Sequence, residues 1–358
     1  MKIVIMTDSN HPGTLGGIQT FNRILKKIFP KELITLAPRT KQKKFYKIDD
    51  VIEYGSSGII YKIINKLTNR KLDNYIIKRN LKKINPDICI LSTPRELKNL
   101  KGIKCKKILV QHTNFDNYMK VHYKNNQNLI EKSKKELDYF VFLSKNDMKR
   151  FQKELNFPQQ KSIIINHTCE VEQFKDLKKR NKILIMVGRI VNRTKRYDLV
   201  ILAMKKLKDF TLLIYGDGPD LKKLKKLVNK EKMENVIFRG PTNNIAKALD
   251  ETSIFIMASD YEGYPLVTIE AIRRGLPIIL RDTFEAARDI VVNNRNGILL
   301  NRSWNEAEFI NSIYRVFKDY DYYAKNTLEL QKKYEFNEIK KNWNNLFEKL
   351  LKDKVEIE

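Results

Sequence analysis

At 358 residues the chain exceeds what one hydrophobic core usually serves, and 42% hydrophobic content excludes a disordered polybasic tail. The net charge of +28 is uneven, +19 over residues 1–170 and +9 over residues 171–358. One sign of charge favours an anionic membrane surface, an anionic polymer or nucleic acid; lysine- and asparagine-rich coding is the competing source of the excess.

The first residues, Met-Lys-Ile-Val-Ile-Met, are too short an apolar run for a signal peptide and suit a buried first strand. Further strands are predicted at Leu33–Leu36, Ile88–Leu91, Lys107–Gln111, Tyr139–Leu143 and Ser162–Ile165, after a first at Lys2–Met6. A second set follows at Lys182–Val187, Thr211–Tyr215, Val236–Arg239, Ile254–Met257, Pro277–Leu280 and Gly297–Leu300. Helical patterns alternate with them at Gln19–Ile28, Leu129–Leu137, Asn146–Leu155, Tyr197–Leu207, Asp220–Asn229 and Ile245–Leu249. Such alternation predicts an α/β chain of two Rossmann-like domains, 1–170 and 171–341, with a polar stretch near 170–180 between them. A last helix, about 342–358, is expected to pack back on the first domain. Ligands of such sheets bind beyond the carboxyl ends of the strands, so two facing domains would share a cleft.

Between Ser57 and Leu81 the run Ile-Ile-Tyr-Lys-Ile-Ile-Asn-Lys-Leu has helical spacing with cations interleaved. Core packing is the first expectation for it, and contact with a membrane surface through Lys62, Lys66, Arg70 and Lys71 is the alternative. The lysine-rich helix opening at Leu221 reads as a solvated outer helix. No run approaches the roughly eighteen apolar residues of a membrane span, so any membrane contact is expected to be peripheral. Cys89, Cys105 and Cys169 lack Cys-x-x-Cys spacing and fit reduced thiols of a cytoplasmic protein better than a disulfide frame or a metal site.

The most informative stretch is Ser259–Arg274, where Glu262 and Glu270 stand eight positions apart around Gly263-Tyr264-Pro265. Pro265 suits the start of a helix, expected from Leu266 to Arg274 with Gly275 as its stop. The free N–H groups of Leu266, Val267 and Thr268 would then offer an anion site, flanked by carboxylates suited to ribose and sugar hydroxyls. An ordinary capped helix with two solvated acids is the plain reading of the same residues. Upstream, Gly188 ends a strand, Arg189 follows at once, and Lys195 precedes a helix, two cations able to meet a diphosphate. The turn Gly216-Asp-Gly-Pro219 could hold a flat base against its backbone.

In this order the motifs resemble the retaining glycosyltransferases of family four, of GT-B fold, most closely from Ile183 to Leu300. The resemblance implies that Glu270 holds the nucleotide ribose, Glu262 the donor sugar, and Arg189 and Lys195 the diphosphate as it leaves. It extends donor binding to Gly216 and to Gly263, Tyr264, Pro265, Leu266 and Val267. In the first half, Gly16-Gly17 resembles the family's glycine loop against donor phosphate, and His112 stands where the family has an active-site histidine. One departure is Arg196, where many members have glycine, which adds positive charge beside the phosphate site.

The implied activity is transfer from a nucleotide-diphosphate sugar, a UDP-sugar above others, to a hydroxyl of a glycan, lipid-linked or protein acceptor in cell-surface glycan biosynthesis. No metal or other cofactor is expected, since Arg189, Lys195 and helix N–H groups supply positive charge. The expected place is cytoplasmic, with peripheral contact on the inner face of the membrane as an extension. Two alternatives stand beside it: a GT-B sugar-nucleotide epimerase, and a basic nucleic-acid-binding protein. The latter lacks any recognisable module, so no nucleic-acid partner is expected.

Overall fold

The computed structural model describes residues 1–7, 11–14, 16–42, 44, 46–56, 58–68, 70–174, 176 and 181–352, with Lys62 by its backbone alone. Ser57, most of the polar stretch 175–180 and the last residues of the expected terminal helix lie outside them. The chain forms two compact units, residues 1–166 with 339–358, and residues 167–338.

The first unit holds a parallel sheet of seven strands: β1 (Ile3–Met6), β2 (Leu33–Pro38), β3 (Val51–Tyr54), β4 (Ile88–Leu91), β5 (Lys106–Val110), β6 (Tyr139–Phe142) and β7 (Ser162–Ile164). Their order is β3-β2-β1-β4-β5-β6-β7, so the direction of winding reverses between β1 and β4. The short runs at β1, β4 and β6 are buried at every position, as strands covered by helices on both faces must be. Aromatic rings fill one face: Phe140, Phe142, Phe151 and Phe157 lie 4.3–6.5 Å apart. The terminal helix Phe336–Lys352 contributes Trp343 and Phe347, whose rings lie 6.2 Å from Phe21 and 5.1 Å from Phe29.

The second unit is a six-stranded parallel sheet of β8 (Ile183–Val187), β9 (Thr211–Tyr215), β10 (Val236–Gly240), β11 (Ile254–Met257), β12 (Ile278–Arg281) and β13 (Gly297–Leu300). The order β10-β9-β8-β11-β12-β13 places its reversal between β8 and β11. Strands and helices thus follow the α/β alternation of the sequence.

Three expectations need correction. β3 was absent from the sequence pattern: it is an edge strand of four residues, only Tyr54 is buried, and half-buried Glu53 interrupts its apolar character. The helix expected at Tyr197–Leu207 ends at Ala203 and tightens into a 3₁₀ turn, Met204–Lys206. The apolar run after Ser57 does not pack in the core. It forms a helix, Ile59–Leu67, whose aliphatic side chains lie in solvent, followed by a second helix, Lys71–Ile84. The lysine-rich outer helix, Leu221–Lys230, does bury only Leu224 and Val228.

Candidate active site

In a doubly wound sheet, loops diverge where the strand order reverses, and the crevice opens there. In the second unit that point lies at the carboxyl ends of β8 and β11, from which the Gly188–Arg196 and Ala258–Pro265 loops leave.

The loop after β8 and the turn after β9 interlock through their backbones. Gly188 and Gly216 adopt φ of +153° and +141°, and a Cβ on Gly216 would stand 1.9 Å from the Gly188 carbonyl oxygen. A Cβ on Gly218 would stand 2.3 Å from the carbonyl oxygen of Ile190. Ile190 N–H donates to the Asp217 carbonyl (2.8 Å), Asp220 N–H to the Ile190 carbonyl (3.2 Å), and Asn192 N–H to Asp220 Oδ2 (2.7 Å). The room that Gly216 leaves is therefore taken by the Gly188 carbonyl, not kept for a ligand.

On this base stand the cations. Arg189 is exposed, and among the described residues its guanidinium has no hydrogen bond or ion pair. Lys195 donates to Glu262 Oε1, an ion pair between side chains 24% and 14% exposed, formed across 67 residues of sequence. Arg196 departs from expectation. Its φ is +51°, the left-handed region, which explains why glycine suits this position. Its charge is not added to the site, because Asp198 (3.1 Å) and Asp260 (3.5 Å) take it up.

Asp260 is the hub that sequence reading missed. Besides Arg196 it accepts from Arg281 (2.7 Å), and its N–H donates to the Thr194 carbonyl (2.8 Å). Buried Arg281 also donates to the carbonyls of Ala258 (2.8 Å) and Arg302 (2.6 Å), while Thr283 Oγ1 donates to the Ser259 carbonyl (2.6 Å). An arginine closing the apolar strand Ile-Ile-Leu was the only signal of this brace in the sequence.

The helix after the loop runs Leu266–Arg273. It ends in paired bonds, Gly275 N–H to the Ile272 carbonyl (2.9 Å) and Leu276 N–H to the Ala271 carbonyl (3.0 Å), with Gly275 at φ +71°. At its start Thr268 N–H is bonded to the Pro265 carbonyl (3.0 Å), so the expected anion site loses that donor. Leu266 and Val267 N–H keep no acceptor among the described residues. Half-buried Glu270 accepts no hydrogen bond from them either. Burial, helped by the nearby Glu170 charge, pushes its carboxyl up to about 7. Tyr264 turns inward, its hydroxyl 2.6 Å from that of buried Tyr334, so its ring is committed to holding the loop.

In the first unit, Gly16 (φ +144°) precedes the helix Gly17–Ile28, and among the described residues no atom beyond its chain neighbours and the helix backbone lies within 4 Å of where a Gly17 Cβ would be. Buried Arg23 of that helix donates to the carbonyls of Pro12 (3.0 Å) and Thr14 (3.1 Å), shaping the approach to the helix. His112 follows β5, and its ring meets Phe21 of the same helix edge-on at 5.0 Å. The structure thus gathers Arg189, Lys195, Glu262, Gly263, Leu266, Val267 and Glu270 at one end of one sheet. Gly16, Gly17 and His112 lie at the carboxyl end of the other sheet.

Residues 170–335 match the glycosyl transferases group 1 family. The chain is 25% identical over 179 residues to the poly(glycerol-phosphate) alpha-glucosyltransferase of Bacillus subtilis (strain 168), covering 49% of this chain and 26% of that protein. It is 24% identical over 315 residues to the poly(ribitol-phosphate) alpha-N-acetylglucosaminyltransferase of Staphylococcus aureus (strain COL), covering 82% of this chain and 62% of that one. The chain therefore spans less than two thirds of either relative. A crystal structure of a TarM variant from S. aureus, in complex with Fondaparinux, alpha-GlcNAc-glycerol and UDP, superposes with a TM-score of 0.74 at 17% identity, covering 97% of this chain and 100% of that one. That likeness shows the fold, GT-B. The match to the glycosyl transferases group 1 family covers residues 170–335, a little under half of the chain, and lies in the second unit.

Proposed function

We propose that the chain transfers a sugar from a nucleotide-diphosphate sugar, a UDP-sugar, to an acceptor hydroxyl with retention of configuration at the transferred carbon. Glu270 is the observation that carries this reading. A half-buried carboxylate without donors is costly, and two ribose hydroxyls would supply the hydrogen bonds it lacks. The unpartnered Arg189 suits a bidentate grip on the diphosphate, with Leu266 and Val267 N–H groups beside it. Lys195 would share its charge between that phosphate and Glu262, whose other oxygen remains for a sugar hydroxyl. In this reading fixed cations stabilise the leaving diphosphate, and no metal is required for that task. In the first unit, His112 is assigned to the donor sugar and Gly16-Gly17 to its phosphate, as the family pattern implies.

The relatives' names support the donor and acceptor classes. One acts on poly(glycerol-phosphate), the other on poly(ribitol-phosphate), and the TarM structure holds UDP. A cell-surface glycan, lipid-linked or protein acceptor is the corresponding proposal here. The test is a mass-spectrometric screen for hydrolysis of UDP-, GDP- and ADP-sugars without acceptor. Slow consumption of one UDP-sugar, abolished in Arg189→Ala, is expected. Consumption confined to another base would overturn the donor assignment, and none across the panel, with or without acceptor polymers, would overturn transfer itself.

A further inference from the structure

The helix Ile59–Leu67 is built the wrong way round for a soluble surface. Ile59, Ile60 and Leu67 are 73%, 75% and 80% exposed, and Ile63 and Ile64 are about half exposed (53% and 47%). The polar residues face inward. Tyr61 and Asn65, one turn apart, both donate to buried Asp73 of the next helix, the tyrosine at 2.7 Å, and Arg70 approaches the same carboxylate at 3.4 Å. Asp73 N–H in turn donates to Asn65 Oδ1 (3.3 Å). This network fixes the helix by its polar side and leaves one aliphatic stripe outward.

The surrounding charge is of one sign. From Gly58 to Ile84 the sequence holds eight Lys or Arg and one acid, Asp73, which is consumed in the network. Arg70 also lines a cavity of about 310 Å³ in which Arg95, Lys98 and Lys124 outnumber the acids Asp73 and Glu96. Two-fold pairing of this face with a second copy would set the same cations against each other. Nucleic acid would use the cations and leave five aliphatic side chains in water. An aliphatic stripe rimmed by lysine and arginine fits the boundary between anionic headgroups and acyl chains.

We propose that this helix seats the first unit on an anionic lipid surface, with the Ile59–Leu67 stripe in the headgroup layer and the cations around it on the lipid charges. The proposal does not rest on the sugar-transfer reading, since lipid binding can be measured without nucleotide or acceptor. The test is cosedimentation of the full chain with phosphatidylglycerol/phosphatidylcholine vesicles and with pure phosphatidylcholine. Binding is expected on the anionic vesicles at low salt, falling several-fold at about 0.5 M salt and absent from neutral vesicles. Ile60→Ser, Ile63→Ser and Leu67→Ser combined should lower the partition coefficient about tenfold or more with unchanged thermal unfolding. Leu67→Trp in the otherwise native chain should show a blue shift of emission on the same vesicles. Failure of the parent to bind, equal binding by the triple variant, or no emission shift would each overturn the proposal. So would a dimer at the same protein concentration that the triple variant dissolves, because the occupant would then be a second copy.

Discussion

Two carboxylates organise two different surfaces in this molecule. In the second unit Asp260 takes Arg196 and Arg281, fixing the loop after β11, while among the described residues the Arg189 guanidinium and the Glu270 carboxyl have no hydrogen-bond or ion-pair partner. In the first unit Asp73 takes Tyr61, Asn65 and Arg70, fixing a helix so that its aliphatic side is left in water. The construction is similar, an acid pinning a segment, with Asp73 buried and the Asp260 side chain 38% exposed, but one surface presents charge and the other presents hydrocarbon. The first suits a small charged ligand held at set positions, the second a broad fluid surface. The family match ends at residue 335 and begins at 170, so it reaches only the charged surface.

The charged surface should break most sharply at Lys195. In the proposed reaction its loss would remove one cation from the leaving group, and it strips Glu262 of its partner, so Lys195→Ala should lower the transfer rate roughly 10²–10³-fold in steady-state assays. Adding Glu262→Gln should cost less than the two singles combined, because both act through one pair. Next come the pinning acids and bases themselves. Arg281→Ala leaves the Ala258 and Arg302 carbonyls without their donor and should destabilise by about 3 kcal/mol in denaturant unfolding. Asp73→Ala frees an outer helix with less above it, and about 2 kcal/mol is expected. If Asp73 proved the costlier, the second unit's brace would be the weaker of the two.

Glu270 offers a pH test with a definite sign. In the unfolded chain its carboxyl ionises near 4.5, whereas in the folded chain it keeps its proton to about 7. Across that window the unfolded state binds fewer protons, so the stability contributed by this group falls as pH rises from 4.5 to 7. The loss should reach about 2–3 kcal/mol, and Glu270→Gln should remove that slope in parallel unfolding series. Binding of a bare nucleoside diphosphate near pH 7 should also release protons, visible by calorimetry in buffers of different ionisation heat. Identical pH profiles for parent and variant would sink the account of this carboxylate. The smallest effect is Arg196→Gly. Relief of the left-handed backbone, about 1 kcal/mol, opposes loss of two partly exposed ion pairs worth no more than that. A change within about 0.5 kcal/mol is expected by thermal unfolding.

The sheets were legible because the strands of a parallel sheet are short apolar runs, buried throughout at β1, β4, β6, β11 and β12, and twelve such runs stand clear of their neighbours. Val51–Tyr54 was not, because this edge strand buries only Tyr54 and carries Glu53 to meet His11 (2.9 Å) and Lys44 (2.5 Å). The charged motifs were legible as local patterns, but their pairing was not: Lys195 and Glu262 meet only through the adjacency of β8 and β11. Periodicity likewise showed that Ile59–Leu67 has an aliphatic face without showing where it points. That direction is decided by Asp73, a single residue on another helix. At Arg196 the sequence showed a charge, while what distinguishes the position is a backbone angle.

The backbone contact between Gly188 and Gly216 also bears on how mutational scans of this chain would be read. With a carbonyl oxygen 1.9 Å from where a methyl group would begin, even alanine at 216 must push two strand ends apart. Activity lost there would report damage to the frame, although the residue borders the proposed diphosphate site. The same contact should make the amides of Gly216, Ile190 and Asn192 slow to exchange with solvent, despite lying outside regular strands and long helices. A loop locked in this way cannot serve as a lid. Any movement that admits the donor must carry the turn after β9 and the loop after β8 together, as one piece.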